Sequence, residues 1–342
     1  MTTTSRSALL DRRDRPLRDL RISVTDRCNL RCRYRMPREH FGPGHRYLHS
    51  DALLSFDEIA RLARVFAALG VRKIRLTGGE PLLRQGVADL VGMLAAIPGL
   101  DLAMTTNGLL LPTLAQRLAQ AGLRRVTVSL DALDDAVFRA VTDTPVLVRR
   151  VLEGIDAAAR AGLTPVKVNM VVKRGVNDGC VLPMAERFRG SGHILRFIEY
   201  MDVGATNEWR LGEVLPAAEL VRVIDDRHPL EPLPARHPGE VATRYRYRDG
   251  AGEIGVIGSV TRPFCGDCTR ARLSADGKVH TCLFASRGTD LRALLRAGAG
   301  DEELRAAVGA LWGTREDGYS ELRGGRRTRS GEDRVEMSYI GG

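Results

Sequence analysis

The sequence predicts a parallel α/β fold, built either as an incomplete barrel or as a doubly wound sheet. The first observation is that six β-rich runs alternate with segments of helical period between about residues 19 and 200. The second is that polar clusters follow several of these runs, where the carboxyl ends of parallel strands carry functional groups. The third is size, because 342 residues with 44% apolar and 27% charged content suffice for about two globular domains.

The predicted strands and helices follow in order. The strands cover residues 20–24, 73–76, 102–105, 126–130, 166–172 and 194–198. The best marked helix covers 55–69, because Ser55 and Glu58 form a capping box, apolar residues recur on one face and Gly70 ends the pattern. Further helices are expected at 87–97, 113–121, 134–141, 148–161 and 183–189.

The character of the chain changes after about residue 205. Helical patterns recur at 216–226, 290–296 and 301–312, whereas 228–240 is rich in proline and polar residues. The alternating run 243–248 leads into Asp249-Gly250, which is typical of a hairpin. We expect residues 18–205 to form the barrel-like unit and 206–325 a second, α+β unit packed against it. Residues 1–17 are expected to be a flexible N-terminal arm, and 326–342 a tail ending in Gly-Gly.

Charge and hydropathy narrow the function classes. Lys and Arg number 52 against 42 Asp and Glu, and the net charge of +10 favours a polyanionic partner such as nucleic acid, anionic lipid or a nucleotide polyphosphate. The longest apolar run, 90–100, is shorter than the roughly 18 to 20 residues of a membrane span. The N-terminal residues lack the apolar segment of a secretory signal, so we expect a cytoplasmic protein with no membrane partner.

The six cysteines are clustered rather than scattered. Cys28 and Cys32 form one group, Cys265, Cys268 and Cys282 form a second, and Cys180 is alone. Without a secretory signal, such groups indicate a metal or redox site more than a disulfide framework. The second group has two interpretations. With His280 it suits structural zinc, and with three thiolates alone it leaves one iron of an iron–sulfur cluster open to a ligand.

Other polar residues near the predicted strand ends each have a structural and a functional interpretation. Gly78-Gly79 can be a tight turn or a place where bare backbone approaches a ligand. Thr105 and Ser129 can cap helices or bind a ribose or phosphate. Lys167 can lie on an exposed strand face or face an anion inside the fold. The same two interpretations hold for Arg270 and Arg272, which can grip a phosphate chain.

Nine motifs occur in a fixed order along the chain. They are RDLRISVTDRCNLRCRYRMP, KIRLTGGEPLLR, TTNG, VSLDAL, VKVN, RFIEYM, FCGDCTRAR, KVHTCLF and the terminal GG. These motifs and their order resemble those of the GTP 3',8-cyclases, the radical S-adenosylmethionine (SAM) enzymes of molybdenum cofactor biosynthesis. The resemblance implies an incomplete (β/α)6 barrel of the triosephosphate isomerase type, closed by a C-terminal subdomain, with two oxygen-sensitive 4Fe-4S clusters facing each other across the cavity.

The resemblance also implies roles for individual residues. Cys28 and Cys32 match ligands of the cluster that binds SAM, and the second cysteine group, Cys265, Cys268 and Cys282, matches ligands of a cluster whose open iron meets guanine. SAM contacts are implied for Tyr34, Gly79, Ser129 and Met201. GTP contacts are implied for Arg21, Lys73, Arg75, Thr105, Lys167, Arg196, Arg270, Ala271 and Arg272. Gly341 and Gly342 match a tail that enters the active site, although a glycine pair is more commonly a flexible end.

The implied reaction converts GTP to (8S)-3',8-cyclo-7,8-dihydroguanosine 5'-triphosphate, the first step of molybdenum cofactor biosynthesis. In the family, reductive cleavage of SAM gives a deoxyadenosyl radical that abstracts the ribose 3' hydrogen, and the C3' radical then attacks C8 of the guanine. The implied partners are GTP, an electron-donor reductant and cyclic pyranopterin monophosphate synthase as recipient of the product, with no nucleic acid. A homodimer is compatible with the resemblance.

One residue departs from the family pattern. The first motif of the family is CxxxCxxC, but this chain reads CNLRCRYR, with Arg35 in place of the third cysteine. A guanidinium is cationic and cannot replace a thiolate ligand of iron. Cys180 is the one spare cysteine, and a distant single ligand poorly replaces a ligand at chelating spacing. We therefore expect the fold and the second cluster site to persist while radical initiation is strongly impaired.

Two functions of other classes remain as hypotheses. A catalytically silent nucleotide-binding protein would bind GTP without forming deoxyadenosine. A basic zinc protein would bind nucleic acid in a salt-sensitive manner. The aromatic content of 5%, with no aromatic residues interleaved in the arginine-rich stretches, makes the nucleic-acid hypothesis the weaker of the two.

Overall fold

The first half of the chain alternates strands and helices. The computed structural model describes residues 9–323 and 334–341. The strands are β1 Asp19–Ser23, β2 Lys73–Thr77, β3 Asp101–Thr106, β4 Arg125–Ser129, β5 Lys167–Val172 and β6 Ile194–Glu199. The helices are α1 Phe56–Ala68, α2 Val87–Ala95, α3 Leu111–Gln120, α4 Asp135–Thr142, α5 Val148–Arg160 and α6 Val181–Phe188. All twelve lie within about two residues of their predicted bounds, which is the usual uncertainty of element ends.

The second half contains shorter elements. Its helices are α7 Ala217–Asp225, α8 Leu291–Arg296, α9 Asp301–Gly313, α10 Tyr319–Leu322 and α11 Met337–Ile340. Its strands are β7 Leu230–Leu233, β8 Thr243–Tyr247, β9 Glu253–Ile257, β10 Arg270–Leu273, β11 Lys278–His280 and β12 Thr289–Asp290. The predicted hairpin is present as β8 and β9, whereas β7 lies in the proline-rich stretch where no strand was expected.

The strands form one sheet in which the second half extends both edges of the first. The order is β12-β11-β10-β1-β2-β3-β4-β5-β6-β9-β8-β7. Strands β1 to β6 are parallel neighbours in sequence order, so the sheet has no point where the winding direction reverses. This order confirms the incomplete barrel and excludes the doubly wound alternative. Strand β10 pairs in parallel with β1, and β9 pairs in parallel with β6.

Side chains alternate along the strands between an apolar outer face and a polar inner face. In β1, Leu20 and Ile22 are fully buried in the core beneath the helices, whereas Arg21 between them is only partly buried. Strand β2 repeats the pattern with Ile74 buried and Arg75 on the other face. Because successive strand residues point to opposite faces, the hydrophobic core lies between strands and helices and the barrel interior is polar.

The N-terminal segment is packed over its described part. Residues 9–17 include Leu17, Asp11 and Arg15, all of which are buried. Trp312 of α9 donates its indole N–H to the carbonyl oxygen of Arg15 at 3.0 Å. This part of the expected flexible arm is therefore attached to the second unit, and residues 1–8 lie outside the described residues. Within the described ranges, no helix combines the length and the hydrophobicity needed to cross a membrane.

The capping box of α1 provides a test of local stability. Ser55 Oγ accepts from the Glu58 amide at 3.1 Å, and a Glu58 carboxylate oxygen accepts from the Ser55 amide at 2.7 Å. Ser55→Ala should lower the free energy of unfolding by about 1 kcal/mol, measured by urea titration, because a helix N-terminus loses its side-chain acceptor. Ser50→Ala is the control, since its hydroxyl donates to the exposed side chain of Asp51. Equal effects of the two substitutions would contradict the assignment.

Candidate active site

The barrel interior is a large cavity with cationic walls. Its empty space, together with open solvent at the mouth, is about 2110 Å³. Eight predicted GTP contacts line it, namely Thr105 and seven cations. The seven cations are Arg21, Lys73, Arg75, Lys167, Arg196, Arg270 and Arg272. They come from both units, because β1, β2, β5 and β6 supply five and β10 supplies two. The structure thus brings together residues that are far apart in the sequence.

Sheet register sets three of the arginines side by side. Arg21 of β1 is paired in register with Arg75 of β2 and with Arg272 of β10. Neighbouring strands lie about 4.8 Å apart, so three guanidinium groups leave adjacent backbone positions on one face. Like charges at this spacing repel, and their repulsion is relieved when an anion binds among them.

The cations are oriented by neutral groups. One Arg75 nitrogen, Nη1, donates to Thr105 Oγ1 and to Thr127 Oγ1 at 3.1 Å each. Arg196 Nε donates to Asn169 Oδ1 at 3.0 Å. Among residues 9–323 and 334–341, none of the seven cavity cations forms an ion pair with a carboxylate. Hydroxyl and amide partners hold the guanidinium groups in place without neutralising them, so their charge is available to a ligand.

The electrostatics of the cavity favour a polyanion. Burial, together with the charges of Arg196, Lys73 and Arg75, lowers the pKa of Lys167 to about 7. Burial and neighbouring arginines lower the pKa of Arg196 to about 9 and the pKa of Arg272 to about 10. These guanidinium groups stay protonated at neutral pH, so the cavity carries a concentrated positive charge that a phosphate chain can satisfy.

The second cysteine group faces this same cavity. Cys265, Cys268 and Cys282 all line it. Burial alone would raise the pKa of Cys268, but the charges of Arg270 and Arg315 lower it to about 6, whereas burial raises the pKa of Cys282 to about 11. A thiolate is the form that binds metal. Three cysteines converging on one cavity beside arginines therefore fit a cluster with an open iron.

The structural zinc interpretation has no such support. Within the described ranges, no three Cys, His, Asp or Glu side chains are grouped so that they could hold a single metal ion. The ring of His280 packs edge-on against Tyr339 with centroids 6.4 Å apart and does not line the cavity. In a 4Fe-4S cluster each cysteine binds a different iron, so its ligands need not meet at one point.

The first cysteine group lines a smaller, adjoining cavity of about 540 Å³. Cys28 and Cys32 share it with Arg35, whose Nη2 donates to the carbonyl oxygen of Gly78. The Nε atom of Arg35 is buried and has no hydrogen-bond partner in the described part of the chain. The cysteine motif therefore supplies two thiols and one cation, which does not fit a 4Fe-4S cluster held by three thiolates.

The glycine pair after β2 supports the backbone that carries Cys28. The Gly79 amide donates to the Thr25 carbonyl at 2.8 Å, and the Glu80 amide donates to the Arg27 carbonyl at 2.7 Å. A Cβ atom at Gly79 would collide with the carbonyl oxygen of Arg27. The pair is thus required for the close approach of two backbone segments, and Gly79 also lines the smaller cavity.

The remaining predicted residues divide between the two cavities and the protein core. Tyr34, Thr105 and Ser129 line both cavities, and Met201 lines the larger one. Ala271 lines neither, and its side chain is 1% exposed. Alternation along β10 turns the side chains of Arg270 and Arg272 inward and that of Ala271 outward, and the contact of Ala271 with GTP stays a prediction.

The spare cysteine and the tail occupy different places. Cys180 precedes α6 and lines neither cavity, so it does not replace the missing third ligand. The carbonyl oxygen of Gly341 accepts a hydrogen bond from Arg272. Gly341 has a φ of +79°, and a Cβ there would collide with Thr77. The described tail therefore reaches the arginine row, which consists of Arg272, Arg21 and Arg75. Gly342 lies outside the described residues.

Sequence reasoning missed two polar residues on the cavity wall. Asp131 accepts from Tyr34 Oη at 2.9 Å and from the Val171 amide at 2.9 Å, and burial raises its pKa to about 6. Asn169 orients Arg196. Both lie in the quoted motifs VSLDAL and VKVN, so the available signal was their position at the carboxyl end or on the inward face of a strand.

Comparisons with known proteins define the class first. Residues 22–188 match the Radical SAM superfamily, and residues 193–321 match Molybdenum Cofactor Synthesis C. A crystal structure of SuiB from Streptococcus suis bound to S-adenosylmethionine has a TM-score of 0.61 over 92% of this chain and 69% of that one, at 15% identity. The fold and the matched domains are thus those of radical SAM enzymes, although the first cysteine motif has Arg35 in its third position.

The particular family follows from the sequence relatives. A GTP 3',8-cyclase of Acidothermus cellulolyticus is 56% identical, covering 96% of this chain and 97% of the relative. A GTP 3',8-cyclase of Xanthomonas campestris is 51% identical over 99% and 98% of the two chains, and one of Staphylococcus aureus is 46% identical over 97% and 98%. The chain belongs to the GTP 3',8-cyclase family, whose cofactors are two 4Fe-4S clusters and SAM.

The titration of Lys167 makes anion binding dependent on pH. In the free cavity its pKa is about 7, and a bound polyanion should raise this pKa by favouring the charged amine. Affinity for inorganic triphosphate should therefore fall as pH rises above 7, by up to about tenfold per pH unit, with proton uptake on binding. Calorimetry in two buffers of different ionisation enthalpy measures both quantities. Lys167→Arg should remove this component, and an unchanged pH dependence in that variant would refute the assignment.

Proposed function

We propose that this chain binds GTP as a member of the GTP 3',8-cyclase family, and that Arg35 impairs the radical step of the reaction in this particular sequence. The observation that carries the first half is the arginine row, Arg272, Arg21 and Arg75, beside the second cysteine group. A triphosphate supplies the negative charge that these residues lack, and the cysteine group lies where a guanine can approach an open iron. When bound, the second cluster supplies that iron.

The individual contacts extend the proposal. Arg21, Arg75 and Arg272 would hold the phosphate chain, with Lys167 and Arg196 from neighbouring strands. The Thr105 hydroxyl accepts a hydrogen bond from Arg75 and so orients its guanidinium. The remaining lone pair of this hydroxyl would accept a hydrogen bond from a ribose hydroxyl. Tyr34, Ser129 and Met201 would contact SAM from the walls of the two cavities. Enclosure of the ligands by the two units excludes water from the reacting atoms.

The second half of the proposal rests on Arg35. Its guanidinium stands beside Cys28 and Cys32 and donates to the Gly78 carbonyl. Assembly of a cluster there would place a cation against iron in a position that needs a thiolate. Arg35 thus has two effects: it removes the third thiolate ligand, and it occupies the carbonyl oxygen of Gly78. We infer that the first cluster does not assemble while the GTP site stays intact.

The cellular setting follows from the family. We infer a cytoplasmic enzyme that takes electrons from a separate reductant and passes its product to cyclic pyranopterin monophosphate synthase. A homodimer is the oligomeric state we infer for it. The reaction product keeps the triphosphate, so the same polyanion must be released from the cavity before the next turnover.

Restoring the third cysteine tests the proposal. After anaerobic reconstitution, the chain with Arg35 should contain about four irons and Arg35→Cys about eight, because a third thiolate completes the first site. The Arg35 form should bind GTP but yield no deoxyadenosine and no cyclised GTP, whereas Arg35→Cys should yield both. Iron and sulfide analysis and chromatographic product assays measure these outcomes.

Arg33→Cys is the matched control, because it adds a thiol two positions away on an exposed side chain. It should leave iron content and product formation at the level of the Arg35 form. Equal activity of the Arg35 form and the Arg35→Cys variant would show that the ligand assignment is wrong. Loss of GTP binding in the Arg35 form would instead show that the cavity assignment is wrong.

A further inference from the structure

A buried ionic cluster lies directly beneath the second cysteine group. We call Asp11, Arg15 and Arg315 the Asp11 triad. One carboxylate oxygen of Asp11 contacts Arg15 Nε at 2.7 Å and Arg315 Nη1 at 3.0 Å. All three side chains are at most 2% exposed. The other oxygen of Asp11 accepts from the backbone amides of Arg13 and Arg15 at 2.9 Å each. The triad therefore joins the N-terminal segment to the segment after α9.

Both guanidinium groups also reach the backbone of the CxxC pair. Arg15 Nη1 donates to the carbonyl oxygen of Cys265 at 2.7 Å. Arg315 Nη1 donates to the carbonyl oxygen of Cys268 at 2.8 Å. Each cysteine of the pair thus has a guanidinium of its own, and the two guanidiniums are fixed relative to each other by one shared carboxylate.

Energetics favour a role beyond stability. Removing three charged groups from water is costly, and a buried ionic cluster is often no more stabilising than apolar side chains of the same volume. Apolar side chains would hold the two segments together but would offer no donors to the cysteine carbonyls. Hydrogen bonds from charged donors are short and directional, so they fix the orientation of the peptide groups that carry the thiols.

We propose that Arg15 and Arg315, locked together by Asp11, are positioning residues that hold the Cys265 and Cys268 backbone in the geometry required by the second cluster. The N-terminal segment 9–17 is on this account part of the cluster site, although it supplies no ligand. Groups that orient metal ligands from behind typically contribute a factor of about 10 to 100 in metal retention.

The test uses a background that carries Cys28→Ala and Cys32→Ala, so that only the second cluster can assemble and its outcome is independent of Arg35. Arg15→Gln and Arg315→Gln are reconstituted anaerobically in this background. We expect iron loss to a chelator to be at least about tenfold faster, together with an altered electron paramagnetic resonance spectrum and reduction potential of the reduced cluster. Those spectroscopic readouts separate positioning from a merely structural role.

The matched control is Arg12→Gln. Arg12 pairs with Glu316 at 2.5 Å, so it joins the same two segments as the triad, but both side chains are exposed and neither contacts a cysteine. Its cluster should match that of the background in spectrum and retention. If either glutamine variant is insoluble, Arg315→Lys replaces it, because lysine keeps the charge but lacks the several N–H donors of the guanidinium. We expect this variant to show an altered spectrum and an intermediate rate of iron loss. Spectra and retention that match the background in the soluble triad variants would overturn the proposal.

Discussion

The excess positive charge of the barrel interior is the constraint on which the rest of the site depends. Arg21 and Arg75 leave adjacent strands on the inner face, and Arg272 extends the row from the second unit. Burial and mutual repulsion both disfavour this arrangement in the free protein. The fold tolerates it because the strands are anchored on their other face by an apolar core. Binding of a polyanion offsets the unfavourable free energy of burying these like charges.

The second unit completes both the sheet and the site through the same contact. Strand β10 pairs with β1, and this pairing sets Arg272 beside Arg21 and Arg270 beside Asp19. The CxxC pair immediately precedes β10, so its thiols lie next to the end of the arginine row. One strand pairing therefore determines where a phosphate chain and a guanine-facing cluster lie relative to each other. The two ligand types can be bound together only because one segment carries both sets of groups.

Local elements were predictable because their signals are local. Period-two alternation, the capping box of α1 and the Asp249-Gly250 turn each depend on a few neighbouring residues, and the structure has each of them close to its expected bounds. The pairings of β9 and β10 with opposite sheet edges were not predictable, since they join residues far apart in the chain. Strand β7 was missed because prolines are uncommon in strands, yet β7 is an edge strand, where a proline is tolerated.

The cavity cations were inferred from a family pattern, and the structure explains them by strand alternation. The same alternation turns the side chain of Ala271 away from the cavity. The Asp11 triad was missed for an instructive reason. An arginine-rich, polar N-terminal segment is typical of a mobile arm. Asp11 is a buried anion in the folded protein because it pairs with Arg315, which lies 304 positions later in the chain. Composition records the charges but not their partners.

We infer that the substrate site of this chain is intact and that its radical site is defective. Anomalous diffraction at the iron edge, from crystals of the anaerobically reconstituted chain soaked with GTP, reports on both sites in one experiment. We expect one iron cluster bound by Cys265, Cys268 and Cys282, with triphosphate density along Arg272, Arg21 and Arg75. A second iron cluster between Cys28 and Cys32, or a triphosphate bound away from the arginine row, would contradict this inference.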